Sequence, residues 1–151
     1  MHEIHPKLLW IGHALDVREP RGLFDVGVTA VVDVAYEEPP APVPRQLIYC
    51  RFPLNDGGGN DPKLLLQALR TTTDLLRENT RTLVACSAGM SRSPTIATFA
   101  LAFHLAESPD EVVSRIASVR SLDLKPQLWK ACLAAYQALL SGRDTGDHSA
   151  G

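Results

Sequence analysis

Cys86, Arg92 and Asp56 are the residues of this chain best suited to covalent chemistry, and the first two share one short stretch. Leu83-Val84-Ala85-Cys86-Ser87-Ala88-Gly89-Met90-Ser91-Arg92-Ser93-Pro94 reads as a short apolar strand, a loop of small residues and the start of a helix. A loop that closes onto a helix N-terminus leaves several backbone N–H groups without acceptors, and an anion such as phosphate can accept them all. Ser87, Ala88, Gly89, Met90 and Ser91 would line that cradle. Cys86 stands at its mouth, where the helix dipole, the N–H groups and the Arg92 guanidinium favour thiolate over thiol, which makes a nucleophile at neutral pH. Arg92 offers a planar fork of donors that can hold two phosphate oxygens and strengthens as charge shifts in phosphoryl transfer. Ser93 carries a hydroxyl that a tight turn would aim at Cys86, where it could stabilise the sulfur as it leaves.

Phosphate-ester cleavage by a cysteine also needs a general acid for the leaving oxygen, and a carboxyl on a mobile loop can supply the proton. Asp56 is the candidate, in the turn Asn55-Asp56-Gly57-Gly58-Gly59-Asn60-Asp61-Pro62 that follows an apolar run. The three glycines give this loop hinge freedom at an entropic cost. Asp61 competes, yet Asp followed by Pro and a leucine-rich stretch is the pattern of a helix N-cap.

The Cys86-to-Arg92 spacing, with Ala88-Gly89 and Ser91-Arg92-Ser93, resembles the signature loop of the cysteine-dependent protein tyrosine phosphatases, in particular their dual-specificity branch. Asn55-Asp56 after a strand resembles the position of that branch's general acid. The resemblance spans Leu8 to about Leu140. It implies a protein tyrosine phosphatase-like fold and hydrolysis of phosphomonoesters, phosphotyrosine and also phosphoserine or phosphothreonine in proteins, through a cysteinyl-phosphate. One position departs: the family has His before the cysteine, and here it is Ala85. That departure motivates a second reading, a phosphate-binding module that keeps the cradle and turns over poorly. The loop interior carries no lysine, so the extra charge that would favour inositol polyphosphates, phosphoinositides or RNA triphosphate ends is missing. A phosphoprotein or a small phosphomonoester is the expected substrate. A third reading, a partner-binding protein that uses the proline loop, needs no anion site.

The elements that must position these residues fit one domain. The chain has 151 residues, 45% hydrophobic and 21% charged, with 15 basic against 17 acidic side chains, a balance that creates no field for nucleic acid or a membrane surface. Three cysteines without paired spacing argue against a disulfide framework and for a reducing compartment. Met1 to Pro6 has no long apolar run, and no segment approaches membrane-span length, so a monomeric cytoplasmic protein is expected. No cofactor or metal is expected: His2, His5 and His13 are read on a tail and a turn without ligand spacing.

Strands are predicted over Lys7–Gly12, Thr29–Val34, Leu47–Leu54 and Thr82–Ala85, and helices over Arg18–Val26, Lys63–Asn79, the apolar run after Pro94, the Ser108-capped segment and Gln127–Ser141. Asp33 reads as a strand-end acceptor. The four prolines between Glu37 and Pro44 make that segment a surface loop. A proline-motif ligand for a partner is the other use of that loop. Cys50 and Cys132 read as core; a resolving disulfide from Cys50 to Cys86 is the alternative use of the first. His104 reads as a core histidine. The expected class is α/β, a mainly parallel central sheet flanked by helices, with a catalytic domain over 1–141 and a flexible tail over 142–151.

Overall fold

The computed structural model describes residues 1–149, with side chains to Gly142. Five strands form one sheet: β1 (His2–His5), β2 (Leu9–Gly12), β3 (Ala30–Ala35), β4 (Ile48–Leu54) and β5 (Thr82–Ala85), in the order β1-β2-β5-β3-β4. β2, β5, β3 and β4 run parallel, and only β1 is antiparallel to its neighbour. The helices are α1 (Ala14–Arg18), α2 (Arg21–Asp25), α3 (Pro62–Arg77), α4 (Arg92–Leu105), α5 (Pro109–Val119) and α6 (Pro126–Ser149).

Strand alternation divides the sheet's side chains between two cores. Leu9, Ile11, Val32, Val34 and Val84 face the larger core with Leu65, Leu69, Phe99, Ile116 and Leu128 of α3 to α6. Trp10, Val31 and Leu83 face the smaller one with Val17 and Leu23 of α1 and α2. Asp61 caps α3 by accepting the Lys63 N–H at 2.9 Å, with Pro62 at the first helical position. Ser108 caps α5 in the same way, accepting the Glu111 N–H. α4 is buried almost all round from Arg92 to Ala102, as its apolar sequence requires.

Three elements differ from expectation. His2–His5, read as an exposed tail, is an edge strand, because it finds the open side of β2 and buries part of Ile4. Of the helix expected over Arg18–Val26 only Arg21–Asp25 (α2) forms; a separate short helix, α1, precedes it, and Pro20, which has no N–H to donate, stands between the two. α6 continues past Ser141 to Ser149, so the segment expected to be a tail is helical that far, its intrahelical hydrogen bonds extending a helix already anchored by packing. Residues 150 and 151 of that segment lie outside the described residues.

The parallel register brings four strand C-termini to one edge of the sheet. Gly12 pairs with Ala85, Ala85 with Asp33, and Ala35 with Leu54. The residues that follow, around His13, Glu37, Asp56 and Cys86, therefore meet at one end.

Candidate active site

β5 delivers Cys86 to the sheet edge, and the loop 87–91 curls back before α4 begins at Arg92. Cys86 as a whole is 3% exposed. Its sulfur lies 3.3 Å from Ser93 Oγ and accepts the Gly89 N–H at 3.2 Å, and the Ser93 hydroxyl also reaches the Gly12 carbonyl at 3.4 Å. The expected tight turn thus brings Cys86 and Ser93 together.

The loop's carbonyls are held on its outer side. Ser87 O accepts from Ala14 N at 3.2 Å, Ala88 O and Gly89 O from the Arg120 guanidinium at 2.8 Å each, and Met90 O from Asp123 N at 2.9 Å. In a trans peptide the following N–H points the opposite way. The N–H groups of Ala88, Gly89, Met90 and Ser91 are thereby turned inward, and the Gly89 bond to sulfur is the direct witness. Gly89 has φ +74°, and a Cβ there would stand 2.9 Å from the Gly12 carbonyl oxygen, so this turn requires glycine.

Arg92 is 4% exposed. Its Nη1 donates to Leu54 O at 2.9 Å and to Glu37 Oε1 at 2.7 Å, while its Nε is buried with no hydrogen-bond partner. Ser91 Oγ is likewise buried and unpartnered. A buried guanidinium nitrogen without an acceptor is costly in a folded chain. These groups surround a cavity of about 200 Å³ lined by Asp56, Cys86, Ser87, Ala88, Met90, Ser91, Arg92 and Asp123.

Asp56 is exposed and faces that cavity. Its loop is less free than three glycines suggest. Asn60 Oδ1 accepts the Asn55 N–H at 2.7 Å and Asn60 Nδ2 donates to Asn55 O and Gly57 O, which closes the loop on itself. Asp61 points elsewhere, as the α3 cap. Asp33 accepts from the Ala35 N–H and the Tyr49 hydroxyl, the strand-end role read from its position.

Glu37, Arg120, Asp123 and Lys125 are the residues that sequence reasoning passed over. Glu37 is 52% exposed and its Oε1 takes both Arg92 Nη1 and the Ser87 hydroxyl, each at 2.7 Å. Arg51 holds it there, donating to Ala35 O, Tyr36 O and Glu38 O around it. Partial burial pushes the Glu37 carboxyl up, but the bonds from Arg92 and Ser87 and the charge of Arg92 outweigh this and hold it below its ordinary value. Glu37's place just beyond a strand C-terminus was the one available signal. Asp123, which lines the cavity, pairs with Lys125 at 2.6 Å. Among the described residues no group of His, Cys, Asp and Glu is arranged to hold a metal ion.

A mainly parallel sheet with the 87–91 loop between β5 and α4, and the Asp56 loop after β4, defines the protein tyrosine phosphatase-like fold of the dual-specificity kind. Human DUSP28 superposes with TM-score 0.81 at 24% identity, over 94% of this chain and 99% of that one. A mouse protein classed with the dual specificity phosphatases, in complex with zinc tungstate, gives 0.79 at 24%, over 93% and 89%. The human tyrosine phosphatase-like serine/threonine/tyrosine-interacting protein gives 0.76 at 15%, over 91% and 95%. No family model matches the chain, and no curated protein matches it by sequence.

Proposed function

We propose that the chain is a cysteine-dependent phosphatase that hydrolyses phosphomonoesters, phosphotyrosine and phosphoserine or phosphothreonine in proteins, through a cysteinyl-phosphate. The observation that carries this reading is the cavity itself: Cys86, Arg92 and Asp56 line it together, and Arg92 keeps a buried nitrogen without a hydrogen-bond partner beside it. The tungstate complex of the mouse relative supports it, since tungstate is a tetrahedral oxyanion like phosphate.

In the first step the Cys86 thiolate attacks phosphorus. The bond to the leaving oxygen breaks, and Asp56 gives that oxygen its proton. The inward N–H groups and Arg92 hold the non-bridging oxygens, stabilising charge that develops only in the transition state. In the second step a water attacks phosphorus while the Asp56 carboxylate takes its proton. The sulfur–phosphorus bond breaks, and the Ser93 hydroxyl donates to the departing thiolate. Inorganic phosphate leaves, and thiolate and carboxylic acid are restored.

Glu37 favours a second reading. A carboxylate already on Arg92 and Ser87 competes with an incoming phosphate, as suits a phosphate-binding module of low turnover. The phosphatase-like interacting protein among the fold relatives fits that alternative. Hydrolysis of an aryl phosphate by wild type, Cys86→Ser and Asp56→Asn, with a metal chelator present, separates the two. The enzyme reading expects turnover that vanishes in Cys86→Ser and loses its basic limb in Asp56→Asn. Phosphate binding without turnover in the wild type establishes the module instead.

A further inference from the structure

Four consecutive loop carbonyls are tied down on the outside of the phosphate loop, and one side chain, Arg120, ties two of them. Arg120 is where α5 ends. Its backbone is extended, with φ −149° and ψ 139°, which sends the side chain off the helix toward the loop. Nε and Nη2 fork onto Gly89 O and Ala88 O, and Nη1 lies 3.1 Å from His2 Nε2 on β1. The guanidinium is therefore fixed from the far side as well.

We propose that Arg120 is a positioning residue of the anion site, resting on the phosphate-site reading above. It locks the 88–89 and 89–90 peptide planes so that the N–H groups of Gly89 and Met90 face sulfur and phosphate. This fork supplies loop order in a chain whose residue before the cysteine is Ala85. The planarity of the peptide makes the effect directional. A plane freed to rotate turns its carbonyl inward, replacing an attractive dipole at the anion by a repulsive one. The bond to Ala88 O is exposed and the bond to Gly89 O is part-buried, so water can take the place of the donor lost at the first. Loss of Arg120 thus costs anion affinity far more than stability. Lysine keeps the charge but not the two-pronged geometry.

The test is protection of Cys86 from iodoacetamide by inorganic phosphate, read by peptide mass, in wild type, Arg120→Ala, Arg120→Lys and Arg120→Gln. Arg115→Ala, which removes an exposed ion pair to Glu107 on the same helix, is the control. The expected result is a rise of about tenfold or more in the phosphate needed for half-protection in Arg120→Ala, with nearly as large a rise in Arg120→Lys. Added guanidinium should restore part of the loss in Arg120→Ala, and thermal midpoints should match Arg115→Ala. Arg120→Gln, which keeps one amide donor, carries the comparison if the Ala variant does not accumulate. Wild-type half-protection in all three variants overturns the proposal, and so does full recovery by lysine, which would reduce the role to charge. A wild type that phosphate does not protect overturns the phosphate-site reading and this inference with it.

Discussion

The cysteines differ in what surrounds their sulfur. Cys132 is buried in the α4–α6 core, and burial pushes its thiol up to about 12, while burial also raises the half-buried Cys50. Cys86 has a loop N–H and a hydroxyl beside it and opens on the cavity. Iodoacetamide at neutral pH should therefore modify Cys86 first and leave Cys132 untouched until the chain unfolds, as peptide mass mapping would show. Glu37 gives a second residue-scale expectation. Its folded value is depressed, so the stability it contributes is present above the ordinary 4.5 and is lost as pH falls through the lower folded value. Thermal midpoints followed downward from pH 4.5 should drop less in Glu37→Gln than in wild type. Glutamine keeps the hydrogen bonds and loses the negative charge beside an incoming dianion, so phosphate should bind Glu37→Gln a few-fold more tightly. Calorimetric titration reads that directly. Glu37 offered only its place beyond a strand C-terminus, since it looks like the rim of a proline loop, and Arg120 was illegible, since it looks like a solvated residue off an apolar stripe.

The two loops differ in what holds them. The 87–91 loop turns through Gly89 in a conformation and a space that exclude a Cβ. Gly89→Ala should abolish phosphate protection of Cys86 while circular dichroism still reports a folded chain. The loop that carries Asp56 is closed by Asn60 and lies against α6, where a Cβ on Gly58 would stand 2.7 Å from Gln127 Oε1. The two aspartates that flank its glycines are separable. Asp61→Ala should lose about 1 kcal/mol through the α3 cap, seen in urea unfolding, with kcat unchanged. Asp56→Asn should do the reverse, losing turnover with stability intact. The Asp61 cap was legible in sequence because an N-cap followed by Pro is a local signal. Sequence could not show Asn60 closing the loop, because that depends on a side chain folding back across the turn.

At the scale of the molecule, the loop is held by a core that reaches it through α4. Phe99 of that helix is fully buried, with ring centroids 4.7 Å from Trp129 and 5.5 Å from Tyr136 on α6. Phe99→Ala should lose about 3–5 kcal/mol by leaving a cavity among these rings, measured as a lower urea midpoint. The strands β2 to β5, the buried helix α4 and the capped helices α3 and α5 were all legible, because apolar periodicity and cap residues act within one turn or one strand. The edge strand β1 was not, since four mixed residues become a strand only when β2 offers an open side. Residue types and spacing alone determined that Cys86, Arg92 and Ser93 share a strand–loop–helix turn and that the chain is α/β. Tertiary structure decided the rest: the parallel register brings Glu37 to Arg92 and Asp56 to the cavity, and the end of α5 brings Arg120 to the loop's carbonyls. The physical reason is separation along the chain. Contacts within a turn are dictated by neighbouring residues, whereas Glu37 to Arg92 and Arg120 to Gly89 exist only after the sheet and its helices have packed.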